Sequence, residues 1–402
     1  MKRLFYRLAV FLSLSMAFCF HDYHKLHSAR FARLHELSHL LSRNLDDLKS
    51  SLLLGISHFN HFACVRPTAT RQELGNLLIC APTRAGKGLL AVSQILTTQN
   101  SIVVNDIKGD LYAQTAGYRA TLGKVFVIDP QGVGHQYDPF YGRMSEDKLY
   151  SSAKHLLFDP HDGDGAIFTQ RACKMLTQIL IAARMENQAA GKNIRWLLPY
   201  VRHMVNVGLK GAAGRLHDLS PELAVRFLDG EFEPHKDYTE NKFLTSAWET
   251  LTSRLFALLT EDVIRCFAGS DFTAKELMTS NKPITVYLRW PEQDLLALSP
   301  LVRLLWSSLI DSLITHYDAN QGKGCNPVLL LVDEAGRTAI PMLADSATTV
   351  VGRKMSLWIA VQSLSQLESV YGKARAQILR DNMDSQLFYR PTDIQTAKYL
   401  EV

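Results

Sequence analysis

Lys87 stands in "APTRAGKGLL" (81–90), directly behind a glycine, between a short apolar run "NLLICA" (76–81) and a helical pattern from Lys87 to about Thr98. A lysine in that setting reaches the β- and γ-phosphates of a nucleotide, in the loop pattern G-x-x-x-x-G-K-[ST]. Gly86 and Lys87 meet the pattern, but both ends depart from it. Ala81 replaces the first glycine, keeping the small size while disfavouring positive φ. Gly88 replaces the hydroxyl residue that normally helps hold Mg²⁺. Metal binding would then fall to a downstream carboxylate, to water, or to a neighbouring hydroxyl such as Thr83. By itself the loop reads either as a nucleotide site or as a glycine-rich strand–helix turn.

The second chemical feature is "PVLLLVDEAG" (327–336), an apolar strand ending in adjacent carboxylates. An isolated Asp-Glu at a strand end is ordinarily a solvated turn. Beside a phosphate loop in an open α/β sheet, however, the strand's C-terminal edge is where ligands bind. There Asp333 can hold Mg²⁺, and Glu334 can orient and deprotonate the attacking water. In "LWIAVQS" Gln362 follows the next apolar run, where an amide can sense a γ-phosphate. In "VVGRKMS" Arg353 precedes that run, in a position suited to an arginine finger reaching a neighbouring subunit. A solvated loop arginine and a polar strand terminus are the plain readings of these two. "HELSH" (35–39) matches the zinc-protease pattern with Glu36 as base, but it lies only about 40 residues before the loop, and the polar face of a juxtamembrane helix explains it as well.

The elements that must position these residues follow from the apolar periodicity. Strand-like runs fall at 76–81, 101–107 and 124–129, with helical stretches between them. They return at 284–290, 328–333, 357–362 and 386–390. That order predicts a parallel sheet with helices on its faces. From about Tyr141 to Asn281 helical patterns dominate, which predicts an all-α insertion in one α/β domain. "LVRLLWSSLIDSLITHY" (301–317) is expected as a helix packed on the sheet.

The chain has 402 residues, 47% of them hydrophobic and 21% charged, as in ordinary globular proteins. Six scattered cysteines with no C-x-x-C pair argue for reduced thiols and against a cysteine-based zinc site. The net charge of +5 arises within residues 1–80, so the remainder carries no global basic signature for nucleic acid. The excess flanks an apolar stretch at residues 4–20, interrupted by Arg7. It reads as a membrane anchor, a signal-like segment or a buried helix.

With "APTRAGKG" (81–88), "SIVVNDIKGDLYAQTAGYR" (101–119), "VFVIDP" (125–130), "SDFTAKEL" (270–277), "LLLVDEAG" (329–336) and "QSLSQLESVYGK" (362–373) in this order, the chain resembles the TraG/TraD family of type IV secretion coupling proteins, the conjugative DNA-transfer ATPases. The resemblance runs from about residue 66 to the end. It implies a RecA-like P-loop NTPase domain interrupted by an inserted all-α domain, with an N-terminal membrane segment. The expected division is 1–65 anchor and basic juxtamembrane helix, 66–140 first half of the nucleotide domain, 141–281 all-α domain, and 282–402 an incomplete second half. The implied cofactors are ATP and Mg²⁺. The loop residues Thr83, Arg84, Ala85, Gly86, Lys87, Gly88 and Leu89 would hold the nucleotide. Lys87 would bind phosphate, Asp333 the metal, Glu334 the water and Gln362 the γ-phosphate. Arg353, or less directly Arg265, would act in trans. The implied partners are single-stranded DNA with its relaxase, components of the secretion channel, the bacterial inner membrane, and five further copies in a hexameric ring whose main body is cytoplasmic. Family members commonly carry G-K-G in the loop. Two departures stand out: one marginal apolar segment where two spanning helices are usual, and an end at Val402 that implies C-terminal truncation.

Other duties remain open from sequence: another ring-forming DNA translocase, a secretion-assembly ATPase, or a truncated, non-catalytic membrane adaptor.

Overall fold

Parallel strands covered on both faces read as unbroken apolar runs, and such runs supply the inner strands of one seven-stranded sheet here. The computed structural model describes residues 37–401 apart from 58–60, 68–72, 132–133, 141–144, 158–164, 190–196 and 338. The apolar segment at 4–20, and His35 and Glu36 of "HELSH", lie outside the described residues.

Three strands come first: β1 (Leu41–Ser42), β2 (Leu52–Ile56) and β3 (Phe62–Val65), an antiparallel sheet in the order β1-β3-β2. The main sheet holds β4 (Leu77–Cys80), β5 (Ser101–Asp106), β6 (Val125–Ile128), β7 (Thr285–Arg289), β8 (Val328–Val332), β9 (Met355–Val361) and β10 (Ser385–Phe388), in the order β10-β4-β9-β8-β5-β7-β6. Pairing is parallel from β10 through β7. The β4 and β5 strands are separated in space by β9 and β8: the chain travels from β4 through β5 to β6 at one edge, then returns through β7, β8 and β9 to β10 at the other.

The chain divides into two compact units. One contains the chain up to Phe126, Lys275–Arg289 and Ile314–Val402; the other contains Val127–Ala274 and Trp290–Leu313. In the first unit α1 (Lys87–Thr97) and α2 (Asp110–Leu122) follow β4 and β5. Leu90, Ala91, Val92 and Ile95 of α1 share one core with Ile79, Ile102, Leu329 and Trp358 of the sheet and Leu52 of β2. Each such aliphatic side chain stabilises by roughly 1.5–3 kcal/mol relative to exposure. Arg119 of α2 is almost wholly buried and donates to neutral acceptors only: Thr285 Oγ1 (2.7 Å), the carbonyl of Asn100 (2.9 Å) and the carbonyl of Thr98. Burial pulls its pKa down to about 10.

The second unit is helical: α3 (Glu146–Leu157), α4 (Ala166–Ala189), α5 (Leu197–Asn206), α6 (Gly208–Leu219), α7 (Pro221–Leu228), α8 (Lys242–Leu255) and α9 (Glu261–Cys266). The α4 helix is its centre, with Met175, Leu176, Ile179 and Leu180 fully buried. After α10 (Glu276–Thr279) and β7 comes α11 (Leu295–Ala319), the helix expected to lie on the sheet. Its residues up to Leu313 belong instead to the helical unit, where Asp311 pairs with Lys148 of α3 (2.5 Å) and Arg303 donates to the His155 carbonyl (3.1 Å). Among the described residues α11 alone is long and apolar enough to cross a bilayer, yet 72% of its most apolar window is buried within the protein. The first unit ends with α12 (Pro341–Ala347), α13 (Leu364–Tyr371), α14 (Lys373–Asp381) and α15 (Ile394–Glu401).

The described residues between 38 and 65 do not run on as the expected juxtamembrane helix but form 3₁₀ turns and the small sheet. The reason lies in the pairing of Gln94. This fully buried α1 side chain accepts from the Leu53 N–H (2.7 Å) and donates to the Ser51 carbonyl (3.0 Å), so it pairs the segment entering β2 as another strand would.

Candidate nucleotide site

The registers bring four strand ends to one edge. Cys80 of β4 lies beside Val361 of β9, and Val332 of β8 lies between Ile359 and Asn105 of β5. The residues that follow, Ala81, Gln362, Asp333 and Asp106, therefore emerge together at the C-terminal edge, where open α/β sheets bind ligands.

The loop after β4 closes tightly. Ala81 N–H donates to the Val361 carbonyl (3.0 Å) and Ala85 N–H to the Pro82 carbonyl (3.2 Å). Arg84 and Gly86 both take positive φ, +62° and +98°. For Arg84 that conformation is strained, as often happens where a loop is shaped for a ligand. Gly86 is the N-cap of α1, so the N–H groups of Lys87, Gly88 and Leu89 open the helix without intrahelical acceptors and present a positive dipole end. A Cβ added at Gly86 or Gly88 would meet nothing within 4 Å, which leaves the space over the helix end open to a bulky group. Thr83 and Arg84 are exposed on the loop and Leu89 is half-buried.

Lys87 folds back onto the acids. Its Nζ lies 2.6 Å from Glu334 Oε1 and 3.4 Å from Asp333 Oδ1, with all three side chains between 10% and 18% exposed. Gln362 Nε2 donates to the other Glu334 oxygen at 3.0 Å. Asp333 is held by its own turn: its Oδ1 accepts from the Glu334 N–H (3.0 Å), and its carbonyl accepts from Asn105 Nδ2 (3.2 Å). Glu334 takes φ +55°, which a non-glycine residue seldom adopts.

The two carboxyls are pushed apart electrostatically. Burial raises Asp333 above the ordinary carboxylate range, and the charge on Glu334 adds to the rise against the pull of Lys87. Burial presses Glu334 upward too, but the Lys87 charge and the hydrogen bonds from Lys87 and Gln362 outweigh it and hold Glu334 low. Lys108, exposed after β5 and not singled out from sequence, adds a smaller downward pull. A set of this kind, a low-pKa acid on an amide and an ammonium beside a second acid, suits a water-orienting carboxylate and a metal-binding one.

Of the residues predicted to act together, Lys87, Asp333, Glu334 and Gln362 are brought together. Arg353 is not. It precedes β9, whose seven residues span about 20 Å, so it stands at the opposite edge of the sheet from Gln362. There its guanidinium grips Asp318 with two prongs, at 2.7 and 3.0 Å. Arg265 lies on α9 in the helical unit and pairs with Asp262. No group of three or more His, Cys, Asp or Glu side chains among the described residues is arranged to hold a metal alone. A lone carboxylate at the edge, such as Asp333, is chemically suited to a Mg²⁺ that takes the rest of its shell from phosphate and water. The five described cysteines are buried, and none is in a disulfide.

The sequence matches the family described as type IV secretory system conjugative DNA transfer over residues 63–401. Protein VirD4 of Rhizobium radiobacter is 25% identical over 360 residues, covering 82% of this chain and 48% of that protein. Conjugal transfer protein TraG of Escherichia coli is 25% identical over 350 residues, covering 81% and 54%. The chain thus spans about half the length of the curated relatives it matches. The fold is that of the plasmid coupling protein TrwB. Its complex with the GTP analogue GDPNP superposes with a TM-score of 0.67 at 17% identity, over 97% of this chain and 84% of that one. The same protein in complex with ADP and Mg²⁺ gives 0.58 at 18% identity, over 77% and 68%.

Proposed function

The chain belongs to the type IV secretory system conjugative DNA transfer family, and from that premise we propose that it is a coupling ATPase that recruits a relaxase–DNA substrate and drives it into a type IV secretion channel. The observation that carries this reading is the convergence of Lys87, Asp333, Glu334 and Gln362 at the C-terminal edge of the sheet, over the open N-terminus of α1. TrwB, with the same fold, binds ADP with Mg²⁺, which supports ATP and Mg²⁺ as the cofactors.

In this reading the α1 N–H groups and Lys87 hold the phosphates, and an incoming phosphate competes with Glu334 for the ammonium. Once Lys87 is shared, Glu334 is left on the Gln362 amide, ionised and aimed to orient a water and take its proton. Asp333 holds Mg²⁺, whose chemistry is to neutralise charge developing on the transferred phosphoryl group. Gln362 reports the state of the γ-phosphate through its bond to Glu334. Arg353 serves a neighbouring copy in a homohexameric ring, with Asp318 as its partner until it engages. The helical segment at 141–281 receives the cargo, and the ring is tethered at the bacterial inner membrane with its main body in the cytoplasm.

The test is ATP turnover by the chain against protein concentration, with and without single-stranded DNA. A motor of this type shows a specific activity that rises with protein concentration and again with DNA. Binding of ATP without turnover at any concentration would instead make the chain a non-catalytic adaptor.

A further inference from the structure

We infer that Gln366 is a positioning residue for the nucleotide site: seated on Gly336, its side chain fixes the backbone of Gln362 so that the Gln362 amide stays on Glu334. The inference rests on the reading of Glu334 and Gln362 given above and adds to it a residue outside the site.

Ser363 is the N-cap of α13 and its side chain accepts from the Gln366 N–H (3.1 Å). "SLSQ" (363–366) is thus a capping pattern of the type S-x-x-[EQ], in which the third helical residue reaches back to the N–H of the cap itself. Here the reach is one residue longer. Gln366 Oε1 accepts from the N–H of Gln362 at 3.1 Å, and Gln362 is the residue whose own amide donates to Glu334. A cap that served the helix alone would end on Ser363.

The other side of the contact is Gly336, two residues past Glu334. A Cβ there would fall 2.3 Å from Gln366 Oε1 and 2.4 Å from its Cδ, so the amide lies directly on the Gly336 backbone. Between the two, the Ala335 N–H donates to the Ala360 carbonyl (3.0 Å). The turn carrying Asp333 and Glu334 and the strand end carrying Gln362 therefore meet at two points, the Ala335–Ala360 hydrogen bond and the Gln366 side chain, which is bonded to Gln362 and fits against the turn only because residue 336 has no Cβ. Backbone drift at Gln362 is the motion this arrangement blocks. A small drift suffices to break a 3.0 Å side-chain bond.

The readout is the Gln362 side-chain amide, followed through its ¹H–¹⁵N resonances in the full chain and assigned by their absence in Gln362→Ala. In the parent its bond to Glu334 holds the amide in one environment and slows exchange of its protons with solvent. Gln366→Met keeps the bulk and removes the acceptor. The expected result is a shift of these resonances and exchange at least about tenfold faster, in the direction given by Glu334→Ala, which removes the bond from the other side. Gly336→Ala leaves Gln366 in the chain but displaces its amide, and is expected to move the resonances the same way. If both variants lower the melting temperature and leave the Gln362 amide where it stands in the parent, Gln366 is a helix cap only and the inference falls. If Gln366→Met does not fold, Gly336→Ala decides alone. Failure of the nucleotide reading appears separately, as absence of ATP binding by the parent, and leaves these resonances unaffected.

Discussion

Lys87 Nζ and Glu334 Oε1, 247 residues apart in sequence, lie 2.6 Å from each other, and Gln362 closes the opposite side of the same carboxylate. The neighbouring Asp333 shares the ammonium at 3.4 Å but is pushed the other way in pKa. Glu334, held below its ordinary 4.5, contributes stability that is present above that value and lost as pH falls through its lowered folded value. Asp333, held above its ordinary 3.8, contributes stability that is present at low pH and lost as pH rises through its raised folded value. Glu334→Gln is therefore expected to lose ground on the parent as pH rises through the region below and up to about 4.5, and Asp333→Asn to gain ground as pH rises above 3.8. Urea midpoints measured across both regions check this, and parallel curves for the two variants would refute the assignment.

Gly88 concerns the loop's most conspicuous departure. A side chain added there meets nothing within 4 Å and lies in the first turn of α1. Gly88→Ser should fold normally and gain about half a kcal/mol from helix propensity. It should also tighten ATP binding in Mg²⁺ but not in EDTA, since it restores a hydroxyl to the metal side of the loop. Equal affinities in the two buffers would place Gly88 away from the metal.

Gln94 ties the small sheet to the helix that opens the site. Replacing it with Leu keeps the volume but strands the Leu53 N–H and the Ser51 carbonyl, both bonded to it in the buried core. The expected cost is roughly 2–4 kcal/mol. It should appear first as protease sensitivity within residues 38–65 with the main sheet still protected. Uniform cleavage throughout the first unit would mean that the small sheet and the main sheet unfold together.

Much of this was legible in the sequence because its signals are local. The inner strands β4, β8 and β9 show as apolar runs since every residue in them is buried, while β10 at the edge is only half-buried. The loop and the Asp-Glu pair show because each is contiguous. The small sheet was missed: β1 has two residues, and β2 owes its place to Gln94, 41 positions from Leu53. The N-terminal part of α11 belongs to the helical unit through single polar contacts such as Lys148–Asp311, which periodicity does not reveal. Asp318 gave no hint that it would hold Arg353, 35 residues on. Gln366 sat in plain view in a capping pattern, but its reach to Gln362 depends on the notch at Gly336, which only the folded turn creates.

The most direct measurement compares ATP binding and ATP hydrolysis in the parent chain and Glu334→Gln, using a fluorescent ATP analogue for the first and phosphate release for the second. If Lys87, Asp333, Glu334 and Gln362 form a hydrolytic site, Glu334→Gln should bind about as tightly as the parent and hydrolyse at least about 100-fold more slowly, the loss expected when a positioned general base is removed. Hydrolysis by Glu334→Gln at the parent's rate would contradict it.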